Sequence, residues 1–202
     1  MDTDIFLWDM DGSLADYDGG LLRGLLPLAG PGEEPLTLWN LREMDRKYAF
    51  VRARRKLVQA QPGWWRNLEP LEMGFRIFHL ATELGFNNQV LTKGPSQSAV
   101  AWMEKKEWCT KHLGKDVDVH IVSNKSGVYG KVLYDDFGPY VAGWLRWRSR
   151  GLAIVPVDRD RNEFHEVHEH PNVVLWDGSE ESFEKVRAAL VSVKNRESGQ
   201  PW

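Results

Sequence analysis

Two aspartates spaced one residue apart, Asp9 and Asp11, follow the apolar run at residues 5–8. Carboxylates this close repel each other unless a cation lies between them or one of them binds a proton. A carboxylate can attack phosphorus as a nucleophile, and a second carboxylate can act as a general acid and base. The pattern therefore indicates a cation-dependent reaction centre, with a strand that simply ends in a turn of Asp and Gly as the plainer alternative.

Five further polar residues follow other apolar runs of the chain. Thr92 and Lys93 end the second run, Lys125 follows the third, and Asp135 and Asp136 end the fourth. Ligands of open parallel sheets bind at the carboxyl ends of the strands, so these side chains are expected at one edge of the sheet. Oxygen ligands select a hard cation such as Mg²⁺, and hydroxyl and ammonium groups suit the oxygens of a phosphoryl group.

The strands that would position these residues are predicted from continuous apolar runs. Such runs are typical of parallel strands that are covered on both faces, whereas half-exposed strands alternate. They lie at residues 5–8, 89–92, 119–123, 131–134, 153–157 and 173–176. Helical spacing occurs between several of them, over 97–113 with Ser96 as N-cap and Gly114 as stop, and again behind Ser179. The alternation predicts a doubly wound, mostly parallel α/β sheet of Rossmann-like topology.

Residues 17–70 interrupt this alternation because they contain no convincing strand. A helix is predicted over 37–59, and the turn QPGWW at 61–65 follows it. The sequence therefore predicts an α/β core made of residues 1–16 and 71–202, with residues 17–70 inserted as a helical cap. Long insertions of this kind often act as lids over a site.

Composition argues against several classes of protein. A formal net charge of −3 does not suit a general nucleic-acid binder, and no apolar run approaches the length of a membrane span. The single cysteine, Cys109, cannot form an internal disulfide, and the amino-terminal residues lack a secretory pattern. A cytoplasmic protein is the expectation.

The four sets of strand-end residues, in this order, resemble the four motifs of the haloacid dehalogenase superfamily of phosphohydrolases. Three stretches resemble the 5'(3')-deoxyribonucleotidases more closely: DMDGSLADYD at 9–18, PGWWRNLEP at 62–70 and NKSGVYGKVLYDD at 124–136. The chain departs from that family at Ser13, where Val or Thr is usual, and at Lys93, where Thr-Ser-Pro is common.

The resemblance implies a doubly wound fold with an inserted cap and a definite catalytic chemistry. Asp9 would be the nucleophile, and Asp11 would protonate the leaving oxygen and later activate water. Mg²⁺ would be held by Asp9, by the backbone carbonyl of Asp11 and by Asp135 or Asp136, with Asp136 favoured. The phosphoryl oxygens would be bound by Thr92, Lys93 and Lys125.

The resemblance also implies a substrate. Tyr17, Trp64 and Trp65 would line the base pocket, although packing within the core or cap is an equally weighted alternative for these side chains. The expected partner is a small nucleoside monophosphate, with no nucleic acid and no membrane, and a homodimer is left open. A sugar phosphate or a nucleic-acid terminal phosphate is the alternative substrate, and a catalytically silent binding module is the rival from another class.

Two charged stretches are interpreted as surface. RARRK at 52–56 is predicted to be the solvated face of the cap helix, with contact to phosphate as the alternative. HEVHEH at 165–170 does not match the zinc pattern H-E-x-x-H, because Glu169 stands where the second His is needed. A surface loop is the preferred interpretation there.

Overall fold

Six parallel strands in the order β3-β2-β1-β4-β5-β6 form the centre of the protein. A computed structural model describes residues 4–95, 98–157 and 165–195 of the chain. The strands are β1 (Ile5–Trp8), β2 (Asn87–Lys93), β3 (Val119–Val122), β4 (Val132–Tyr134), β5 (Leu152–Pro156) and β6 (Val173–Trp176). The predicted doubly wound parallel sheet is confirmed. Because β1 lies between β2 and β4, the strand order reverses beside it, which is where such sheets bind ligands.

Helices cover both faces of this sheet, and three more form the segment 17–70. They are α1 (Tyr17–Leu25), α2 (Leu41–Lys47), α3 (Ala49–Gln59), α4 (Glu72–Glu83), α5 (Ala99–Leu113), α6 (Gly138–Arg146), α7 (His165–His168) and α8 (Glu180–Asn195), with 3₁₀ turns at Leu26–Leu28 and Lys125–Gly127. No helix of the described residues is long and apolar enough to cross a membrane.

Capping residues set where several helices begin and end. The Ser98 hydroxyl accepts a hydrogen bond from the Ala101 backbone N–H at 3.2 Å, so the cap of α5 lies two residues after Ser96, which falls outside the described residues. The stop at Gly114 and the cap at Ser179 were both predicted correctly, the latter accepting from the Ser182 N–H at 3.2 Å. The prediction of a surface loop at 165–170 was wrong, because the first four of these residues form α7.

Alternation along each strand divides the apolar core into two layers. Phe6 and Trp8 face the layer that also contains residues of α4, α5 and α8, whereas Leu7 faces the layer beneath α6. All three side chains are fully buried, as expected for a strand covered on both sides.

The segment 17–70 forms helices, but not the single helix that was predicted over 37–59. Tyr48 has extended backbone angles, φ −114° and ψ 122°, which separate α2 from α3. Helix α1 was not predicted, because three of its nine residues are glycine and glycine disfavours helices. The packing explains Gly24: a Cβ there would lie 2.4 Å from Cγ1 of Val58 on α3.

The two ends of this segment leave the core side by side. The Asp16 N–H donates to the Glu69 carbonyl, and the Leu71 N–H donates to the Leu14 carbonyl, each at 2.8 Å. Its helices share an apolar cluster of their own: Leu21, Leu25, Leu41, Met44, Val51 and Val58. The division into core and cap stays a prediction that this arrangement supports.

Candidate active site

Three aspartates meet at the carboxyl ends of β1 and β4, of which Asp9 and Asp135 are buried and Asp136 is half-buried. Carboxylate oxygens of Asp9, Asp135 and Asp136 lie within 4.8 Å of one another. The two strands are neighbours in the sheet, and the Asp9 N–H donates to the Tyr134 carbonyl at 2.8 Å. The pairing of the strands therefore brings together carboxylates that are more than 120 residues apart in the sequence.

Lys125 joins two of these carboxylates. Its Nζ lies 2.6 Å from Oδ1 of Asp9 and 2.7 Å from Oδ2 of Asp135, and its side chain is almost fully buried. Burial opposes a charged ammonium, but the carboxylates of Asp135 and Asp9 outweigh it and raise the pKa of Lys125 above its ordinary value. Lys125 is therefore a fixed positive charge beside Asp9.

The adjacent residues Asp135 and Asp136 differ in their hydrogen-bond and ion-pair partners. Asp135 is held at both oxygens, because Oδ2 binds Lys125 and Oδ1 accepts from the Phe137 N–H at 2.9 Å. Asp136 turns instead toward the segment 17–70, where Nη2 of Arg42 lies 3.1 Å from its Oδ2. Asp136 can therefore exchange its partner more readily than Asp135 can.

Burial makes the charge on this cluster costly. It raises the pKa of Asp135 to about 8 and that of Asp136 to about 6, and the nearby Asp9 carboxylate adds to both shifts. Carboxylates that resist ionisation in each other's company are stabilised by a cation.

Asp11 points away from this cluster and pairs with a lysine that was not predicted. Its Oδ2 lies 2.5 Å from Nζ of Lys105, which donates a second hydrogen bond to Oγ1 of Thr92 at 3.0 Å. Lys105 is fully buried on α5. A signal was present in the sequence, because Lys105 continues the buried helical stripe of Ala101 and Trp108 at spacings of four and three.

Burial and the Asp9 carboxylate raise the pKa of Asp11, although Lys105 opposes that shift. The carboxyl of Asp11 is therefore predisposed to bind a proton, as a general acid requires.

The predicted phosphate-binding residues are divided between the cavity and the core. Lys93 and Lys125 line a cavity of about 580 Å³ together with Asp9, Asp11 and Asp136. Thr92 is fully buried and is not part of the cavity wall.

The segment 17–70 supplies the opposite wall of the cavity. It contributes Tyr17, Trp65, Arg42, Arg55 and Gln59, among other residues. The predicted solvated face at 52–56 is therefore wrong for Arg55, which pairs with Asp45 at 3.1 Å. The remaining arginines of that run bind within the segment, as Arg54 does with Glu33.

The three aromatic residues of the predicted base pocket lie together, but they do not have equal access to the cavity. Ring centroids are 5.9 Å apart for Tyr17 and Trp65 and 4.7 Å apart for Trp64 and Trp65. Tyr17 and Trp65 line the cavity, whereas Trp64 is not part of its wall and packs against the neighbouring core. The Gln59 amide donates to the Tyr17 hydroxyl at 2.6 Å and fixes the ring.

Comparison with known proteins identifies the fold. No protein-family model matches the chain. A provisionally named phosphatase from Clostridium difficile has a TM-score of 0.59 at 15% identity, covering 93% of this chain and 99% of that one. A provisionally named haloacid dehalogenase-like hydrolase from Burkholderia xenovorans LB400 has a TM-score of 0.54 at 14% identity, with 94% and 98% covered. The chain has a haloacid dehalogenase-type fold.

The chain is also similar in sequence to a bacterial protein. A provisionally named 5'(3')-deoxyribonucleotidase of Bordetella pertussis (strain Tohama I) is 26% identical over 165 residues, which span 79% of this chain and 88% of that protein. The resemblance predicted from the motifs is therefore confirmed. The roles of individual site residues stay predictions, supported by their positions in the structure.

The haloacid dehalogenase-type fold presents a site that fits a hard divalent cation. Asp9 and Asp136 offer carboxylate oxygens as ligands. Because ionised carboxylates are costly in this partly buried cluster, a bound cation would stabilise them. Gly12 provides the space, because a Cβ there would lie 2.8 Å from Oδ2 of Asp136. The carboxylate of Asp11 is turned to Lys105 instead, so only its backbone carbonyl is a candidate ligand.

Proposed function

We propose that the protein is a Mg²⁺-dependent phosphomonoesterase that hydrolyses nucleoside monophosphates through an aspartyl-phosphate intermediate. One observation carries this proposal: Asp9, fixed beside the cation Lys125, opens into a cavity whose far wall holds Tyr17 and Trp65. A nucleophile, a phosphate-binding cation and an aromatic surface thus share one space. The similarity to the Bordetella protein supports the same class of substrate.

The first step transfers the phosphoryl group to Asp9. A carboxylate oxygen of Asp9 attacks phosphorus, and the bond between phosphorus and the ester oxygen breaks. The leaving oxygen takes the proton carried by Asp11, so that the nucleoside departs as a neutral alcohol. Lys125 and Lys93 hold the phosphoryl oxygens, and positioning and charge neutralisation supply most of the rate enhancement.

The second step releases phosphate. Asp11, now ionised, accepts a proton from water, and the water oxygen attacks phosphorus. The bond between phosphorus and the Asp9 oxygen breaks, which frees inorganic phosphate and restores the Asp9 carboxylate. Asp11 has regained its proton and is ready for the next turnover.

Mg²⁺ would be held by Asp9, Asp136 and the Asp11 carbonyl. When bound, the ion would neutralise charge on the phosphoryl oxygens. Asp135 would help indirectly, because its two held oxygens orient Lys125 and the backbone at Phe137.

Charge in the cavity suits a single phosphate. The described lining residues include five aspartates, at 9, 11, 18, 45 and 136, and five cations, at 42, 46, 55, 93 and 125. With Asp11 carrying the proton that the first step uses, the cations exceed the ionised aspartates by one, and a divalent cation adds to the positive excess that a phosphomonoester dianion offsets. A longer polyanion would find no comparable excess.

Phosphate release from a panel of ribo- and deoxynucleoside 5'- and 3'-monophosphates, with sugar phosphates alongside, tests the proposal. We expect Mg²⁺-dependent turnover of nucleotides and a loss of at least about 10³-fold in Asp9→Asn, which removes the nucleophile. Turnover of sugar phosphates alone would overturn the nucleotide assignment and keep the Asp9 mechanism. No turnover of any ester would favour a catalytically silent binding module.

A further inference from the structure

Helix α5 carries two buried charges in succession, Glu104 and Lys105. Their side chains are 1% and 0% exposed, and charged residues are almost never buried this fully unless they are paired. Neither is needed to fill the apolar core, since leucine or methionine would do so without loss of hydration. Both charges are therefore expected to serve the groups that they bind.

The Lys105 ammonium contacts residues at the candidate active site. It donates to Oδ2 of Asp11 at 2.5 Å and to Oγ1 of Thr92 at 3.0 Å, and it lies 4.6 Å from the centre of the Trp65 ring. Nucleotide would be bound by the cavity that Asp11 and Trp65 line. Lys105 itself does not line that cavity, so it acts through these neighbours.

The two oxygens of Asp11 are used unequally. Lys105 holds Oδ2, whereas Oδ1 is buried and has no hydrogen-bond partner among the described groups. A buried carboxyl oxygen without a partner is unfavourable unless a ligand completes it. Holding one oxygen therefore fixes the orientation of the whole Asp11 carboxyl group at the cavity wall.

The neighbouring charge, Glu104, fixes the turn that carries Trp65, part of the aromatic wall formed by Tyr17 and Trp65, to the same helix. Glu104 accepts hydrogen bonds from the backbone N–H groups of Gly63 at 2.6 Å and of Trp65 at 3.2 Å. One turn of α5 thus holds both Trp65 and the Asp11 carboxyl. This helix therefore helps to fix Trp65 and the Asp11 carboxyl relative to each other.

We propose that Lys105 is a positioning residue that orients the Asp11 carboxyl for proton transfer to the leaving oxygen. The inference rests on the proposed phosphomonoesterase function and adds a residue to it. In the first step, Lys105 matters most for esters whose leaving oxygen needs a proton, and it matters little for p-nitrophenyl phosphate, whose leaving group is stable as an anion.

The experiment compares these two kinds of ester in Lys105→Met and Lys105→Gln. In single turnovers we expect the rate of nucleoside release from a nucleoside monophosphate to fall about 10²-fold or more, and the rate of p-nitrophenolate release from p-nitrophenyl phosphate to fall by less than about 10-fold. Lys106→Met is the matched control, because Lys106 adjoins Lys105 on α5 and its ammonium donates to the Val117 carbonyl at 3.1 Å, away from the site. It should match the unsubstituted protein on both esters.

A double variant separates positioning from a general loss of packing. Lys105→Met combined with Asp11→Asn leaves neither charge buried without its partner, which favours a folded protein. We expect it to be no slower on the nucleotide than Asp11→Asn alone, because Lys105 acts through Asp11. Equal losses on both esters, or an additive double variant, would overturn the inference while leaving the phosphomonoesterase proposal in place. An unsubstituted protein inactive on every ester would refute both.

Discussion

Gly12 shows at the scale of a single residue how the acidic cluster constrains the backbone beside it. Its φ of +79° lies in the left-handed region, which residues with a Cβ adopt at a cost. A Cβ would also lie 2.8 Å from Oδ2 of Asp136. Two separate penalties therefore act at this position, one from the backbone and one from the carboxylate.

Gly32 allows these two penalties to be measured separately. It has φ +77°, but a Cβ added there would meet no atom within 4 Å, so Gly32→Ala should cost only the backbone strain, about 1–2 kcal/mol. Gly12→Ala should cost about 2–5 kcal/mol in urea unfolding and should weaken Mg²⁺ binding as Asp136 is displaced. Equal costs in the two variants would show that Asp136 yields freely and that Gly12 is present only for the turn.

Individual site residues were predictable where strand ends determine them. Asp9, Lys125 and Asp136 follow strands β1, β3 and β4, and parallel pairing brings the ends of these strands to one edge of the sheet. Lys105, Arg42 and the position of Thr92 were not predictable in this way. Lys105 and Arg42 lie on helices α5 and α2, so the partners that they reach depend on how those helices pack. Thr92 does end β2, but its side chain is buried and does not line the cavity.

Among the elements, α5 joins the turn at residues 63–65 to the carboxyl edge of the sheet, because Glu104 binds the turn and Lys105 binds Asp11 and Thr92. Glu104→Gln keeps the shape of the side chain but weakens two charge-assisted hydrogen bonds to the Gly63 and Trp65 N–H groups. We expect a loss of stability of about 1–3 kcal/mol and a raised KM for nucleotides, with little change in KM for p-nitrophenyl phosphate.

Glu107→Gln is the control for that prediction. Glu107 lies on the same helix and pairs with Arg66 at 3.1 Å, but its side chain is 43% exposed. Exposed ion pairs contribute little, so stability should change by less than about 0.5 kcal/mol and the KM values should be unchanged. A KM for p-nitrophenyl phosphate that rises as much as the nucleotide KM in Glu104→Gln would contradict a role confined to the aromatic wall.

The strands could be predicted because each of them forms a continuous apolar run in the sequence. Strands covered on both faces leave continuous apolar runs, and so do the half-buried edge strands β3 and β6, so that all six strands were predicted within two residues of their observed ends. The helices of segment 17–70 were harder to predict from the sequence. Gly24 in α1 and the extended backbone at Tyr48 are explained by packing between helices, which the periodicity of apolar residues does not reveal.

At the scale of the whole molecule, stability should depend on pH through the buried carboxylates. The pKa of Asp136 rises from 3.8 to about 6, chiefly by burial and then by the charge of Asp9. Between these values the folded protein binds a proton that the unfolded chain has released, so this group makes stability fall as pH rises through that window. The pKa of Asp135, raised to about 8, extends the same trend to higher pH.

Mg²⁺ should reverse that loss, because it binds ionised carboxylates of the folded state. At about 100 times its Kd, the ion should raise Tm by roughly 5–10 °C near pH 7.5 and by far less near pH 4.5, where protons compete for Asp136. Thermal unfolding with Mg²⁺ and with a chelator measures this difference. Asp136→Asn should be more stable without Mg²⁺ near pH 7.5 and should lose most of the response to the ion. An undiminished response in that variant would mean that Mg²⁺ binds elsewhere, whereas equal responses at both pH values would mean that Asp136 is ionised throughout.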